Sequence, residues 1–274
     1  MTAAALKGID HTLVGVRDLE AARRTWERLG FTVTPRGRHI GWGTANYCIM
    51  FDKNYIELLG IVDPTLFTNN LDKFLAVREG LLGLAFASDD VEATKARLVA
   101  AGLHPDGPKD LKRLLELPEG TVVPEFRLLY LPKEETPDLS AFVCCHLTPE
   151  LVRRPEWLLH PNGASGLLLL TVLSEQPDRS NAAYRPLLPE PTPFSCRLFF
   201  TDRDGFQRIY PGLGDWPTHA APIPVAMTIA VDDCRVPERW LRNAGFTPQM
   251  RIGGDFWLRP EEANGVILEF YALR

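Results

Sequence analysis

Residues 9–16, IDHTLVGV, are largely apolar with polar positions interspersed, the pattern of a half-buried strand, and then the spacing changes. In DLEAARRTWERLGF, Leu19, Ala22, Trp26 and Leu29 recur at three- and four-residue intervals, which puts an apolar stripe on one face of a helix. Asp18 can cap its first turn, and Gly30 suits the left-handed position just past its end. Strand-like runs follow at residues 32–34, 47–51 and 55–59. Residues 9–64 therefore predict a strand, a helix and three more strands. His11 stands near the start of the first strand and Glu57 inside the last, YIELL, where a carboxylate is costly unless something compensates it.

The same pattern recurs. VRDLEAARRTWERLGF, SDDVEATKARLVAAGL and VDDCRVPERWLRNAGF each place an aspartate (Asp18, Asp90, Asp233) at a strand end and a glycine (Gly30, Gly102, Gly245) twelve positions later. One apolar residue follows each glycine, and a strand precedes each helix, which marks a structural repeat. A more degenerate copy is expected between the second and third of these. It comprises a strand at 167–173, a short helix at 180–188 and strands at 194–201 and 206–210, with Asp204-Gly205 as the turn. In the second unit the proline- and charge-rich residues 105–125 read as a loop, with strands at 126–131 and 141–147. In the last unit Glu269 falls where the first has Glu57.

One such unit leaves an apolar sheet face open, and a second copy beside it closes a cup. The fold class expected is α+β, with four βαβββ modules paired into two cup-like half-barrels. The proline-bearing stretch TPELVRRPEWLLHPN divides the chain into an N-terminal domain (1–147), a connector (148–162) and a C-terminal domain (163–274).

Composition narrows the function classes. A 274-residue chain with 45% hydrophobic and 24% charged residues is expected to be globular and soluble. A formal net charge of −5 gives no attraction to nucleic acid, and the basic run at 109–113 reads as a solvated loop. No stretch reaches the roughly 20 apolar residues of a membrane span. MTAAALKGIDH lacks a signal core, and five cysteines without CxxC spacing suggest reduced thiols. A cytoplasmic location follows as the expectation, and a homodimer is a compatible assembly.

Paired modules with a histidine on the first strand and a glutamate on the fourth resemble the vicinal oxygen chelate superfamily. More narrowly, GIDHTLVGVRDLEAA, GRHIGWGTANYCIMF, YIELLG and HLTPELVRRPEWLLHPNGA resemble bacterial glyoxalase-like domain proteins, over most of residues 8–166. The resemblance implies a glyoxalase/extradiol dioxygenase-like fold. It also implies a divalent metal ion (Fe, Zn, Mn or Ni) and a small oxygen-rich substrate, and the apolar cup with Trp42 and Trp157 favours an aromatic or hydrophobic one. The reaction implied is that of an isomerase or lyase, or of a ring-cleaving dioxygenase. A metal-free protein that sequesters a small molecule is the alternative on the same fold.

The implied ligands are His11 and Glu57, and His146 is the candidate third. The position matching His11 in the second unit is Gly83, which cannot ligate, and Ala226 takes that position in the last. Glu57 is also the candidate base, with His39 as proton shuttle; the plainer reading of Glu57 is an ion pair with Arg36 or Arg38. Asn46, Trp42 and His160 are candidate substrate contacts. GRHIGWGTANY is equally a hairpin around Gly41 and Gly43, and His160-Pro161-Asn162-Gly163 equally a turn.

Overall fold

A computed structural model describes residues 6–190, 192, 195–217 and 221–273. The first unit comprises β1 (Ile9–Gly15), α1 (Leu19–Arg28), β2 (Gly37–His39), β3 (Thr44–Met50) and β4 (Tyr55–Ile61). After α2 (Leu71–Val77) the second comprises β5 (Gly80–Ala87), α3 (Val91–Ala100), β6 (Asp106–Leu117), β7 (Gly120–Val122), β8 (Glu125–Tyr130) and β9 (Ser140–His146). The third is β10 (Ala164–Leu173), α4 (Pro177–Tyr184), β11 (Arg197–Thr201) and α5 (Arg203–Ile209). The fourth is β12 (Ile223–Val231), α6 (Arg235–Asn243), β13 (Gln249–Met250), β14 (Phe256–Leu258) and β15 (Ile267–Ala272).

In every unit the first and last strands lie side by side and parallel: β1 with β4, β5 with β9, β10 with β11, β12 with β15. Units then pair through antiparallel first strands, β1 with β5 and β10 with β12. The repeat is physical as well as textual. Asp18 accepts a hydrogen bond from the Ala21 amide, Asp90 from those of Glu92 and Ala93, and Asp233 from that of Arg235. Gly30, Gly102 and Gly245 take φ of +91°, +84° and +86°. The next amide, of Phe31, Leu103 or Phe246, donates five residues back to Trp26, Leu98 or Leu241, so the same closure ends all three helices.

Three departures from the sequence pattern have local causes. Residues 32–34 form no strand: Thr34 exchanges bonds with Cys48, its amide donating to the Cys48 carbonyl and its hydroxyl accepting from the Cys48 amide, and Pro35 then removes a donor. Residues 105–125 are not a loop but mostly β6 and β7, because Arg113, Leu115 and Leu117 are buried at alternate positions between the less buried Lys112, Leu114 and Glu116. β6 pairs with β2, Gly37 opposite Leu115 and His39 opposite Arg113, which closes eight strands into a barrel where a half-barrel was expected. Residues 206–210 are helical, not a strand: Asp202 caps α5 by accepting from the Gly205 amide at 2.7 Å, and Phe206 and Tyr210 bury one face. The strand expected from Phe194 is Arg197–Thr201, and Phe194 itself lies outside the described residues. Among the described residues the third unit thus has two strands, and the second sheet stays open with six.

One apolar cluster runs between the two sheets, joining Trp26, Phe31 and Phe86 to Leu170, Met227 and Phe270. A second lies within the barrel around Met50, Leu115 and Phe126 and takes in Val152 and Trp157 from the connector. The connector is therefore packed against the barrel's inner residues.

Candidate functional site

The barrel holds a cavity of about 920 Å³ with α2 on its rim, where Lys73 and Phe74 reach it. His11, His39, Trp42, Asn46, Glu57 and Arg113 all line it. Their convergence follows from topology. β1 and β4 are neighbours, with His11 opposite Tyr55 and Glu57 two residues further along, so both side chains leave adjacent strands on the inner face.

A chain of polar contacts crosses the wall. His11 Nε2 is 3.5 Å from Glu57 Oε2, and Asn46 Nδ2 donates to Glu57 Oε1 at 2.6 Å. Asn46 Oδ1 in turn accepts from Arg113 Nη1 at 3.0 Å. A guanidinium only donates and a carboxylate only accepts, so this fixes which way the amide points. Glu57 is 6% exposed. Burial works against its charge, but His11, His39, the Asn46 amide and Arg113 hold its carboxyl below the usual range. The ion pair with Arg36 or Arg38 does not form; Arg36 pairs with Glu116 and Glu20 instead.

Behind His11 lies Asp10, 1% exposed. Its Oδ2 is 2.7 Å from His11 Nδ1 and 3.0 Å from His146 Nε2, and its Oδ1 accepts from Arg153 at 2.8 Å. Successive strand residues ordinarily face opposite sides. Here Ile9 and His11 oppose consecutive residues Phe86 and Ala85 of β5, so Asp10 is the extra residue of a bulge and can turn beside its neighbour. Because a carboxylate accepts, His11 carries its proton on Nδ1 and, when neutral, turns the Nε2 lone pair toward Glu57. Burial opposes ionisation of Asp10, yet His146 and His11 together keep its carboxyl far below the ordinary range. Tyr55 stacks on the His11 ring at 4.4 Å and fixes its plane.

The remaining candidates separate. His39 Nδ1 is 2.8 Å from the Thr44 hydroxyl, and burial pushes its pKa down to about 4, which leaves it neutral at neutral pH. Trp42 lies 5.7 Å from His39 and packs edge-on against Phe67. His146 is not brought to His11 and Glu57: Asp10 stands between, and Cys144, two residues earlier on β9, is the one that lines the cavity. His160 is also elsewhere. Its Nδ1 accepts from the Thr32 amide and its Nε2 donates to the Met50 carbonyl, so backbone occupies both nitrogens and no substrate contact is left to it. The basic run at 109–113 is not uniformly solvated, since Arg113 is 6% exposed inside the barrel. Asp10, Tyr55 and Arg113 are the site residues that sequence reasoning passed over. The alternation Arg113, Leu115, Leu117 was the available signal for the last.

A cation fits the His11–Glu57 pair. Two donors 3.5 Å apart suit one ion at about 2.1 Å from each. A histidine whose far nitrogen is fixed by a buried carboxylate is the usual support of a metal ligand. The second unit adds nothing to the pair: Gly83 and Phe142 occupy the positions of His11 and Glu57. A Cβ at Gly83 would stand 2.1 Å from the Ser140 carbonyl oxygen, so no side chain fits there. Among the described residues the one trio of histidine, cysteine or carboxylate atoms within 4.8 Å of one another is Asp10, Cys144 and His146. Two of those, Asp10 and His146, already bond each other, and burial holds the Cys144 thiol well above its usual pKa.

The second sheet shows the contrast. Glu269, opposite Thr228 on the strand carrying Ala226, accepts from the Thr228 hydroxyl at 2.7 Å and pairs with Arg251 at 2.5 Å. There the buried carboxylate is compensated by an arginine, where Glu57 has a histidine and an amide.

Comparison with known proteins agrees with this architecture. A family model described as glyoxalase-like domain matches residues 9–188. No curated protein matches the sequence. A hypothetical protein from Staphylococcus aureus superposes with a TM-score of 0.65 at 14% identity, covering 97% of this chain and 99% of that one. A mutant of 4-hydroxymandelate synthase from Streptomyces coelicolor gives 0.59 at 12% identity, over 97% of this chain and 92% of that one. A xylose isomerase-like TIM barrel/4-hydroxyphenylpyruvate dioxygenase fusion protein gives 0.56 at 13% identity, over 99% of this chain and 50% of that one. At such identities these likenesses concern the fold. No helix among the described residues is long and apolar enough to cross a membrane. With its parallel-edged units, its closed barrel and the match over residues 9–188, the chain belongs to the glyoxalase-like domain family, within the vicinal oxygen chelate superfamily.

Proposed function

We propose that the chain is an enzyme acting on a small oxygen-rich substrate inside the barrel, with a divalent cation held by His11 Nε2 and Glu57. The observation that carries this reading is the pair of buried donors 3.5 Å apart, one locked from behind by Asp10. When bound, the ion supplies Lewis-acid stabilisation of an oxyanion on the substrate. Asp10 keeps the His11 tautomer that leaves Nε2 unprotonated. Asn46 holds one Glu57 oxygen and leaves Oε2 toward the cavity, where it would hold the cation or, released from it, accept a proton from a substrate carbon. His39, neutral at pH 7, serves as a hydrogen-bonding group on the same wall. Isomerase or lyase chemistry and ring-cleaving oxygenation both begin from this arrangement.

Metal content of protein purified without chelators tests it. About one ion per chain, lost in His11→Ala and Glu57→Ala, is the expected result. Gly83 and Phe142 at the second unit's ligand positions favour one other reading, a metal-free binding protein in which His11 and Glu57 form an ion pair. Protein free of metal even after incubation with Zn, Mn, Fe or Ni salts, yet binding small molecules in the barrel, selects that reading.

A further inference from the structure

Arg113 reaches Glu57 through Asn46 and touches neither Glu57 nor His11, yet it is buried in the same cavity at 6% exposure. Its Nη1 bonds Asn46 Oδ1 at 3.0 Å and contacts Cys48 Sγ at 3.5 Å. Its Nε is sealed from solvent without any hydrogen-bond partner. Among the described residues no carboxylate oxygen comes within 4.0 Å of its guanidinium, and its nearest aromatic support is the Phe126 ring at 5.5 Å. A buried cation whose carboxylate partner, Glu57, reaches it through an amide and not by direct contact is incompletely compensated, and such a cost persists where a ligand removes it.

The cavity's charge points the same way. Its lining has four cationic side chains, Lys73, Arg78, Arg113 and Lys133, against two carboxylates, Glu57 and Asp138. This surplus sits within a chain of formal net charge −5. Both carboxylates are occupied, Glu57 by Asn46 and His11 and Asp138 by the Ser180 hydroxyl. A walled cleft of one sign concentrates ions of the other. Beside these charges the wall is apolar, with Leu13, Leu111, Leu128 and Phe142.

The geometry points to a carboxylate subsite at Arg113: the cavity takes an organic carboxylate whose head pairs with the guanidinium and whose apolar body lies among those leucines and Phe142. The planar fork of arginine suits a carboxylate's two oxygens. This rests on the barrel cavity being the ligand site, but not on the cation at His11 and Glu57.

Calorimetric titration of the full chain with 2-naphthoate and decanoate, each beside its alcohol (2-naphthylmethanol, decanol), tests the subsite. The acids are expected to bind at least tenfold tighter than the alcohols. Arg113→Gln should weaken the acids 10- to 100-fold and the alcohols less than threefold, and Arg113→Lys should recover part of the preference. Equal affinity for acid and alcohol in the wild-type chain overturns the subsite, and so does equal weakening of both by Arg113→Gln. No binding of either at 1 mM overturns it as well. The wild-type comparison decides even if a variant fails to fold. Metal content of Arg113→Gln separates the two proposals: retained metal with lost acid preference supports both. A metal-free wild type that still prefers acids retires the cation and keeps the subsite.

Discussion

Asp10 is the residue on which the candidate site rests, and Asp10→Asn measures how much. The substitution preserves shape but removes the charge that accepts from His11, His146 and Arg153 at 2.7, 3.0 and 2.8 Å. An asparagine offers one acceptor and turns an NH₂ toward a donor. Two of the three partners are deep, the His11 and His146 side chains being 3% and 10% exposed, whereas Arg153 at 28% is screened by water. Breaking a buried charged network from one side costs roughly 3–5 kcal/mol, and the lower end applies because the asparagine oxygen still accepts from one of the three partners. A loss of about 3 kcal/mol corresponds to a fall of roughly 6–12 °C in unfolding midpoint for a chain of this size. The pH dependence carries a sign. The folded carboxyl lies below its unfolded value, so its contribution is full above about pH 4 and fades as pH falls further. Thermal unfolding of both proteins by circular dichroism from pH 8 to 3 checks this. A gap below about 1 kcal/mol at pH 7, or one that widens on acidification, would refute the reasoning.

Two further outcomes follow from the same structure. Burial lowers the His39 pKa to about 4, beneath its unfolded 6.5, so the native state binds fewer protons between those values and stability rises with pH across that window. About 3 kcal/mol should be lost between pH 7 and 4, and His39→Gln should flatten that part of the urea-midpoint profile. Among the repeat glycines, Gly102→Ala should cost about 1 kcal/mol in urea unfolding, from its φ of +84° alone, since nothing lies within 4 Å of the new carbon. Gly30→Ala should cost about 3 kcal/mol, because there the carbon would sit 2.7 Å from Asn162 and 2.8 Å from Trp240; equal losses would mean that packing adds nothing.

What the sequence determined by itself is local. Helices announce themselves through short-range spacing, so Asp18, Gly30 and their counterparts located three helices and the unit length. The positions of His11 and Glu57 at equivalent strand ends were legible for the same reason. The first unit's first strand was legible as a strand, but the third unit's Phe206 and Tyr210 served a helix face instead, and Asp202's cap decides that. Tertiary structure decided everything that depends on register. The bulge that turns Asp10 beside His11 exists only because β1 meets β5 with one residue extra. Barrel closure exists only because β6 finds β2, and that pairing is what carries Arg113 from an apparently solvated run into the cavity. On paper His146 was a candidate metal ligand and His160 a candidate substrate contact, but the fold sets a His146 nitrogen on Asp10 and both His160 nitrogens on the backbone of Thr32 and Met50. A side chain's type is written in the chain, whereas what it faces is set by which strand arrives next to it, and at what offset.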